Sequence, residues 1–359
     1  MHPSLALALL LTASACASLP AKSNPRVISL SRPGSTAAQG STDAIELETV
    51  DGLRGSSRRF EIESAALTRA FGRPRTVGAE VVLPDGYRPG EGLAVAYHIP
   101  DLGQDPAQLA EHFAEIEDLP RIVLVVLDPR GIYGHHGFVD SVNEGPHGEA
   151  LVTDLIPVLE QHLFAGASAR RRCVSGVGLG GWSAIQLQLE YRHAFDAAFA
   201  FDPEPLDMRS FYGADLTTSL LTEGGAAAPR LRTVREGSLG IRVASLEAAL
   251  GARGTDGRPL PLLLRSGGGV DPDVVAAFTR RDPATLLRLR GKELASRLQG
   301  KIHALAHAGD PLGRDESLRS FQSALTEAGV SSVIRILESF DIDEVVAAAW
   351  ATVVEPARP

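Results

Sequence analysis

The sequence predicts an α/β fold: a doubly wound, mostly parallel sheet with helices on both faces and an inserted, lid-like region. Three observations carry this prediction. The short runs Leu93–Ile99, Arg121–Leu127, Arg172–Val177 and Phe195–Phe201 are apolar without strict alternation, as strands covered on both faces must be. Helical spacings separate them, which is the rhythm of β-α units. The chain has 359 residues, 44% hydrophobic and 22% charged, enough to bury a large core at an ordinary globular composition.

The N-terminus comes first in the chain and is read as targeting. Leu5–Leu11 (LALALLL) is far shorter than the ~20 apolar residues that span a bilayer. It is followed by the small residues Thr12, Ala13, Ser14 and Ala15, the pattern of a secretion signal over residues 1–15. Cys16 follows Ser14-Ala15 as in a lipoprotein lipobox, where the cysteine is diacylated and tethers the mature chain to a membrane. Ala13 stands where such boxes usually carry Leu and no Lys or Arg precedes the apolar core, so plain cleavage after Ala15 or Ala17 is the alternative. Either route places the protein outside the cytoplasm. Cys173 is then the single remaining thiol, and no disulfide framework exists. Residues 16–60, rich in Ser, Pro, Gly and Ala between Ser23 and Gly40, read as a flexible tether, with the folded domain over 61–355.

Within that domain Val77–Leu83 reads as a strand, closed by the turn residues Pro84-Asp85-Gly86-Tyr87. Gly148–Phe164 carries Leu151, Leu155, Val158 and Leu159 at helical spacing, with Pro157 as a candidate kink. Gly180–Tyr191 is a second helix. Residues 204–299 break the rhythm and read as the insertion, with helical pieces at Leu246–Leu250 and Asp271–Phe278. Asp271 is the N-cap of the latter and Pro272 its first helical residue. The rhythm returns with the strand Lys301–Ala306, the helix Glu316–Ala328, the strand Val333–Leu337 and a last helix over Asp343–Val353.

A net charge of -9, from 35 basic and 44 acidic residues, excludes nucleic acid as the expected partner, because phosphate binding needs clustered Lys and Arg. Arg170–Arg172, Arg280-Arg281 and Arg288–Lys292 read as solvated surfaces, and Trp182, Trp350 and Tyr97 as core.

Chemistry concentrates at Ser175-Gly176-Val177-Gly178-Leu179-Gly180-Gly181: strand, tight glycine turn, helix. That is the layout of a nucleophile elbow, in which flanking glycines permit a strained turn that lifts one side chain above the sheet edge. Gly176 and Gly180 hold the glycine positions, and the nucleophile position is Gly178. Together with VLPDGY (Val82–Tyr87), FVDSVNEGPHG (Phe138–Gly148) and the acid-bearing loop Ala308-Gly309-Asp310, the chain resembles a bacterial esterase family of α/β-hydrolases related to enterochelin esterases and S-formylglutathione hydrolases. The resemblance covers about residues 77–205 and 300–350. It implies a serine on the elbow, an acid after a late strand and a histidine after the last strand, acting on an ester carbonyl. Carried over, the acid position is Asp310, the nucleophile position is vacant at Gly178, and the histidine position is vacant at Ile342 within Glu338–Asp343; no His follows His307. The alternative reading of Asp310 is a turn or helix-capping aspartate ahead of Pro311. The oxyanion donors implied are the backbone N–H groups of Leu102 and Leu179. Asp101, where the family usually has glycine, is expected to turn outward.

No cofactor is implied. A metal is not expected, although His135, His136, Asp140 and His147 lie on one loop. Ser175 and Ser183 sit beside the elbow apex and not on it, and Cys173 lies in a buried strand. Three functions follow: a pseudoenzyme of the esterase family that binds an ester or acyl ligand or a protein partner, an active carboxylic-ester or carbohydrate-acyl hydrolase using rearranged or metal-assisted residues, or a surface interaction protein.

Overall fold

The computed structural model describes residues 57–88, 90–164, 169–217, 239–262 and 271–354, and the backbone of 27–31. The signal segment, Cys16 and most of the tether lie outside the described residues. Among the described residues nine strands form one sheet: β1 (Val27–Ser31), β2 (Arg58–Glu63), β3 (Thr76–Val82), β4 (Val95–Ile99), β5 (Val123–Leu127), β6 (Arg172–Val177), β7 (Ala197–Phe201), β8 (Ile302–His307) and β9 (Ser332–Leu337), in the order β1-β2-β3-β5-β4-β6-β7-β8-β9. The pairs from β5 to β9 are parallel and those from β1 to β5 antiparallel. β1 is built from VISL within the stretch read as tether, and its pairing to β2 extends the sheet beyond residue 61.

Each central strand sends alternate residues to opposite faces. Val174 and Tyr97 join a core with Leu155, Leu159 and Leu187, whereas Cys173 and Ala96 join Phe113 and Trp350. The second face is covered by α2 (Pro106–Ala114, after α1, Ala65–Phe71) and by α9 (Ile342–Val354). On the first face the helix expected over 148–164 begins as a short α-turn at His147–Glu149, widens to a π-helix over Ala150–Leu155 and continues as α3 (Ile156–Leu163). The irregularity is thus a π-segment just ahead of Pro157. Proline has no N–H to continue an α ladder there, and it lies in the first turn of α3, where none is needed.

α4 (Leu179–Glu190) runs from the elbow and is buried along nearly its whole length. The described part of the inserted region packs as a wall and not as a detached lid: α5 (Gly240–Leu250), α6 (Pro272–Arg281) and α7 (Pro283–Leu298) place Leu246, Phe278, Leu287 and Leu294 in one core with Ile302, Ala304 and Phe321. Phe321 belongs to α8 (Arg314–Glu327). Asp271 caps α6 as its sequence suggests, accepting from the N–H of Asp273 at 2.9 Å. Arg281 and Arg288 are not simply solvated. Arg281 donates to the backbone carbonyl of Asp140, and Arg288 pairs at 2.5 Å with the fully buried Asp207, anchoring the wall to the rest of the domain.

Candidate active site

The register of the parallel strands sets the site. Gly176 lies opposite Ile99, Val177 opposite Phe201 and Phe201 opposite Leu305, so the C-terminal ends of β4, β6, β7 and β8 form one edge, where open α/β sheets bind ligands. Gly178 tops β6 with φ 57° and ψ −119°, a conformation costly for any residue with a Cβ. Its N–H donates to the carbonyl of Phe201 at 3.0 Å, and its carbonyl accepts the N–H of Glu204 at 3.1 Å. The flanking glycines are required by contact: a Cβ on Gly176 would lie 2.3 Å from the backbone of Gly180, and one on Gly180 2.0 Å from the carbonyl oxygen of Ile99. The backbone of a nucleophile elbow is therefore complete, with a glycine at its apex.

Asp101 does not turn outward. Its Oδ1 accepts the N–H of Leu179 at 3.0 Å, the amide that would serve an oxyanion, and lies 2.4 Å from where a Cβ on Gly178 would stand. Arg242 of α5 holds it there with both guanidinium nitrogens, at 2.8 and 2.5 Å, and donates at 2.6 Å to the fully buried Glu204. The carboxylate thus takes the hydrogen-bond donor at the positive N-terminal end of α4, and a paired arginine offsets its burial. Burial raises the Glu204 pKa, an effect partly offset by Arg242 and by the Tyr212 hydroxyl. Leu102 follows in the same loop, its side chain half-buried against the core of the inserted wall.

Gly178→Ala is expected to cost about 1–3 kcal/mol, combining backbone strain at positive φ with displacement of Asp101. Urea unfolding of the variant in wild-type and Asp101→Gly backgrounds checks this, with the penalty smaller in the second because only the strain remains.

Asp310 follows β8 as expected but bonds no imidazole. Its oxygens accept the Leu312 N–H at 2.8 Å and the Arg314 side chain at 2.9 and 2.5 Å, which holds its carboxyl below the usual range despite burial. It is a turn-capping, ion-paired residue. Ile342 opens α9 and packs toward Phe113 and Trp350 on the far face of the sheet. Phe340, two residues earlier, packs on the same cluster and stacks its ring on His307 at 4.0 Å.

That contact exposes a couple the sequence reading passes over. Asp202, directly after β7, accepts the backbone N–H of His307 at 2.8 Å and its Nδ1 at 2.7 Å. Asp202 itself has φ 43°, outside the ordinary range for a non-glycine residue. Both residues end apolar strands, a signal open to sequence reading. Arg242 and Glu204 offer none, since only the tertiary fold brings the inserted region to the elbow.

The histidine loop is occupied with structure. His135 bonds the carbonyl of Pro100 and the N–H of Gly137, and His136 bonds the carbonyl of Asp128 and the N–H of Phe138. His147 stacks on His136 at 3.6 Å. Among the described residues no three His, Cys, Asp or Glu side chains are grouped to hold a metal. Ser183 donates to the carbonyl of Leu179, and Ser175 is buried on the far face between His98 and Trp350. Cys173 is fully buried and burial pushes its thiol pKa up. Trp182, Trp350 and Tyr97 are core residues.

No protein-family model matches the sequence, and no curated protein matches it. Solved structures do. An S-formylglutathione hydrolase from Agrobacterium tumefaciens superposes with a TM-score of 0.53 at 16% identity, covering 92% of this chain and 100% of that one. A ferulic acid esterase gives 0.51 at 10% identity over 82% and 95%, and MPT51 of Mycobacterium tuberculosis gives 0.50 at 16% over 80% and 96%. Sheet, elbow and neighbours together define the class: the chain has the α/β-hydrolase fold. Esterases are among the solved structures that share it.

Proposed function

We propose that this protein is a pseudoenzyme of the esterase family, a binding protein that keeps the hydrolase cleft and has given up its chemistry. The observation that carries the reading is the Asp101 carboxylate, which fills the space of the missing nucleophile and accepts the Leu179 N–H. Loss of a serine nucleophile typically costs about 10⁶ in turnover. A carboxylate fixed in the oxyanion position opposes developing negative charge instead of stabilising it. Asp310, bound to Arg314, has no histidine to orient. The LALALLL segment and Cys16 support export and lipid anchoring, which metabolic labelling with a radioactive fatty acid, lost in Cys16→Ala, would test. Among the described residues no helix is long and apolar enough to cross a membrane.

The experiment is exposure of the purified chain to a fluorophosphonate, which phosphonylates activated serines, followed by intact-mass measurement. The unmodified mass is expected after prolonged incubation. A stoichiometric adduct on any serine would overturn the reading.

A further inference from the structure

Among the described residues the charged groups around the elbow are paired with one another, and His307 stands apart from them. Asp101 and Glu204 are bonded to Arg242, Asp310 is bonded to Arg314, and the Leu179 amide is bonded to Asp101. Neither an anionic nor a cationic ligand finds an unpaired countercharge among these groups. A carboxylate only accepts hydrogen bonds, so the Asp202 contact makes Nδ1 the protonated nitrogen of the neutral His307 ring and leaves a lone pair on Nε2. Among the described residues Nε2 has no hydrogen-bond partner, and the side chain is 37% exposed.

The ring is held on two sides, by Asp202 in its plane and by Phe340 across its face. It is also close to the elbow. Asp202 follows Phe201, whose carbonyl accepts the Gly178 N–H, and β8 is two strands from β6, or roughly 10 Å at the usual strand spacing. A fixed, accessible acceptor beside the Asp202 carboxylate selects a hydrogen-bond donor that carries no negative charge.

We propose that the Asp202–His307 couple is a binding site for a neutral hydroxyl compound, an alcohol or phenol, whose O–H donates to His307 Nε2. The assignment rests on reading the cleft as a binding site and names its ligand class. Asp202 is the positioning residue: with its Oδ1 engaged by the His307 backbone N–H, only Oδ2 faces Nδ1. In Asp202→Asn the backbone N–H keeps the amide oxygen, so the amide NH₂ faces Nδ1 and forces the proton to Nε2.

The test is long-range proton–nitrogen NMR on the full chain labelled with ¹⁵N-histidine, at a pH near 8. Phenol and benzyl alcohol are the probes, with anisole, which lacks the O–H, and benzoate, which carries a charge, as controls. Phenol and benzyl alcohol are expected to shift the His307 Nε2 resonance saturably, and the two controls are not. His307→Phe, checked for folding by circular dichroism, is expected to weaken phenol binding at least tenfold, read from the ligand's own resonances. Asp202→Asn is expected to move the proton to Nε2 and bring the preference for phenol over anisole close to one. An Nε2 that carries the proton in the wild type, an equal response to anisole, or an unchanged preference in Asp202→Asn would each overturn the proposal. A fluorophosphonate adduct would instead overturn the pseudoenzyme reading, so the two failures are separable.

Discussion

Acidification from about pH 7.5 to about pH 5 is expected to remove several kcal/mol of folding stability, a large part of the whole stability of many domains. Four histidines are almost completely buried: His98, His135, His136 and His303. Burial, the dominant cause in each case, depresses their pKa values, to about 3 for His98, to about 4 for His135 and His303, and well below the ordinary value for His136. The unfolded chain takes up these protons below about 6.5 while the folded chain does not, so stability is full above that pH and falls toward about 4. His98, His135 and His303 each contribute about 2 kcal/mol of loss by pH 5, and His136 and His147, their pKa values lowered by burial, act in the same direction. Glu80, Glu190 and Glu204, their pKa values raised by burial, work the other way, and so does Asp282. Burial pushes its pKa up to about 7, so the folded form gains that proton before the unfolded chain does, offsetting about 3 kcal/mol by pH 5. Urea unfolding against pH measures the slope. His98→Leu is expected to make the fall shallower by about one proton and Asp282→Asn to make it steeper; a stability flat down to pH 5 would contradict the account.

Arg242→Ala is expected to destabilise the protein by about 3–5 kcal/mol, the usual cost of stranding a buried charge. The guanidinium lies between Asp101 and the fully buried Glu204, and its loss leaves two carboxylates side by side at the elbow. Glu204→Gln in the Arg242→Ala background is expected to restore part of the loss, because one of the two charges is gone. Denaturant midpoints of the single and double variants provide the measurement. A loss below about 1 kcal/mol, the range of an exposed ion pair, would show that Arg242 does not hold Asp101 in place.

Much of the fold was legible because its causes are local. Doubly covered strands such as Val123–Leu127 have to be continuously apolar, and Gly176 and Gly180 are dictated by contacts under 2.5 Å, so the strands, their parallel class and the elbow follow from composition and motif. The π-segment at Ala150–Leu155 was not legible, since its apolar spacing fits an α-helix as well. Of the site, the glycine at the apex of the elbow could be read directly. The inward turn of Asp101 could not, because it depends on Arg242, 141 residues later, and a loop aspartate without that partner would face water. Ile342 opens a helix that packs against the cluster of Phe113 and Trp350 on the opposite face of the sheet, a loop register that cannot be read from residue type. His307 ends a strand in plain view, yet its meaning needs Asp202 from the neighbouring strand.

The central claim is that Asp101 occupies the place where an ester would react. Its most direct test is hydrolysis of short-chain and aromatic nitrophenyl esters by the purified chain, run beside Asp310→Ala and with and without chelator. The account predicts rates equal to the blank for both proteins under all conditions. Turnover above the blank that Asp310→Ala abolishes would contradict it, by showing that an acid-oriented catalytic group still operates behind the closed elbow.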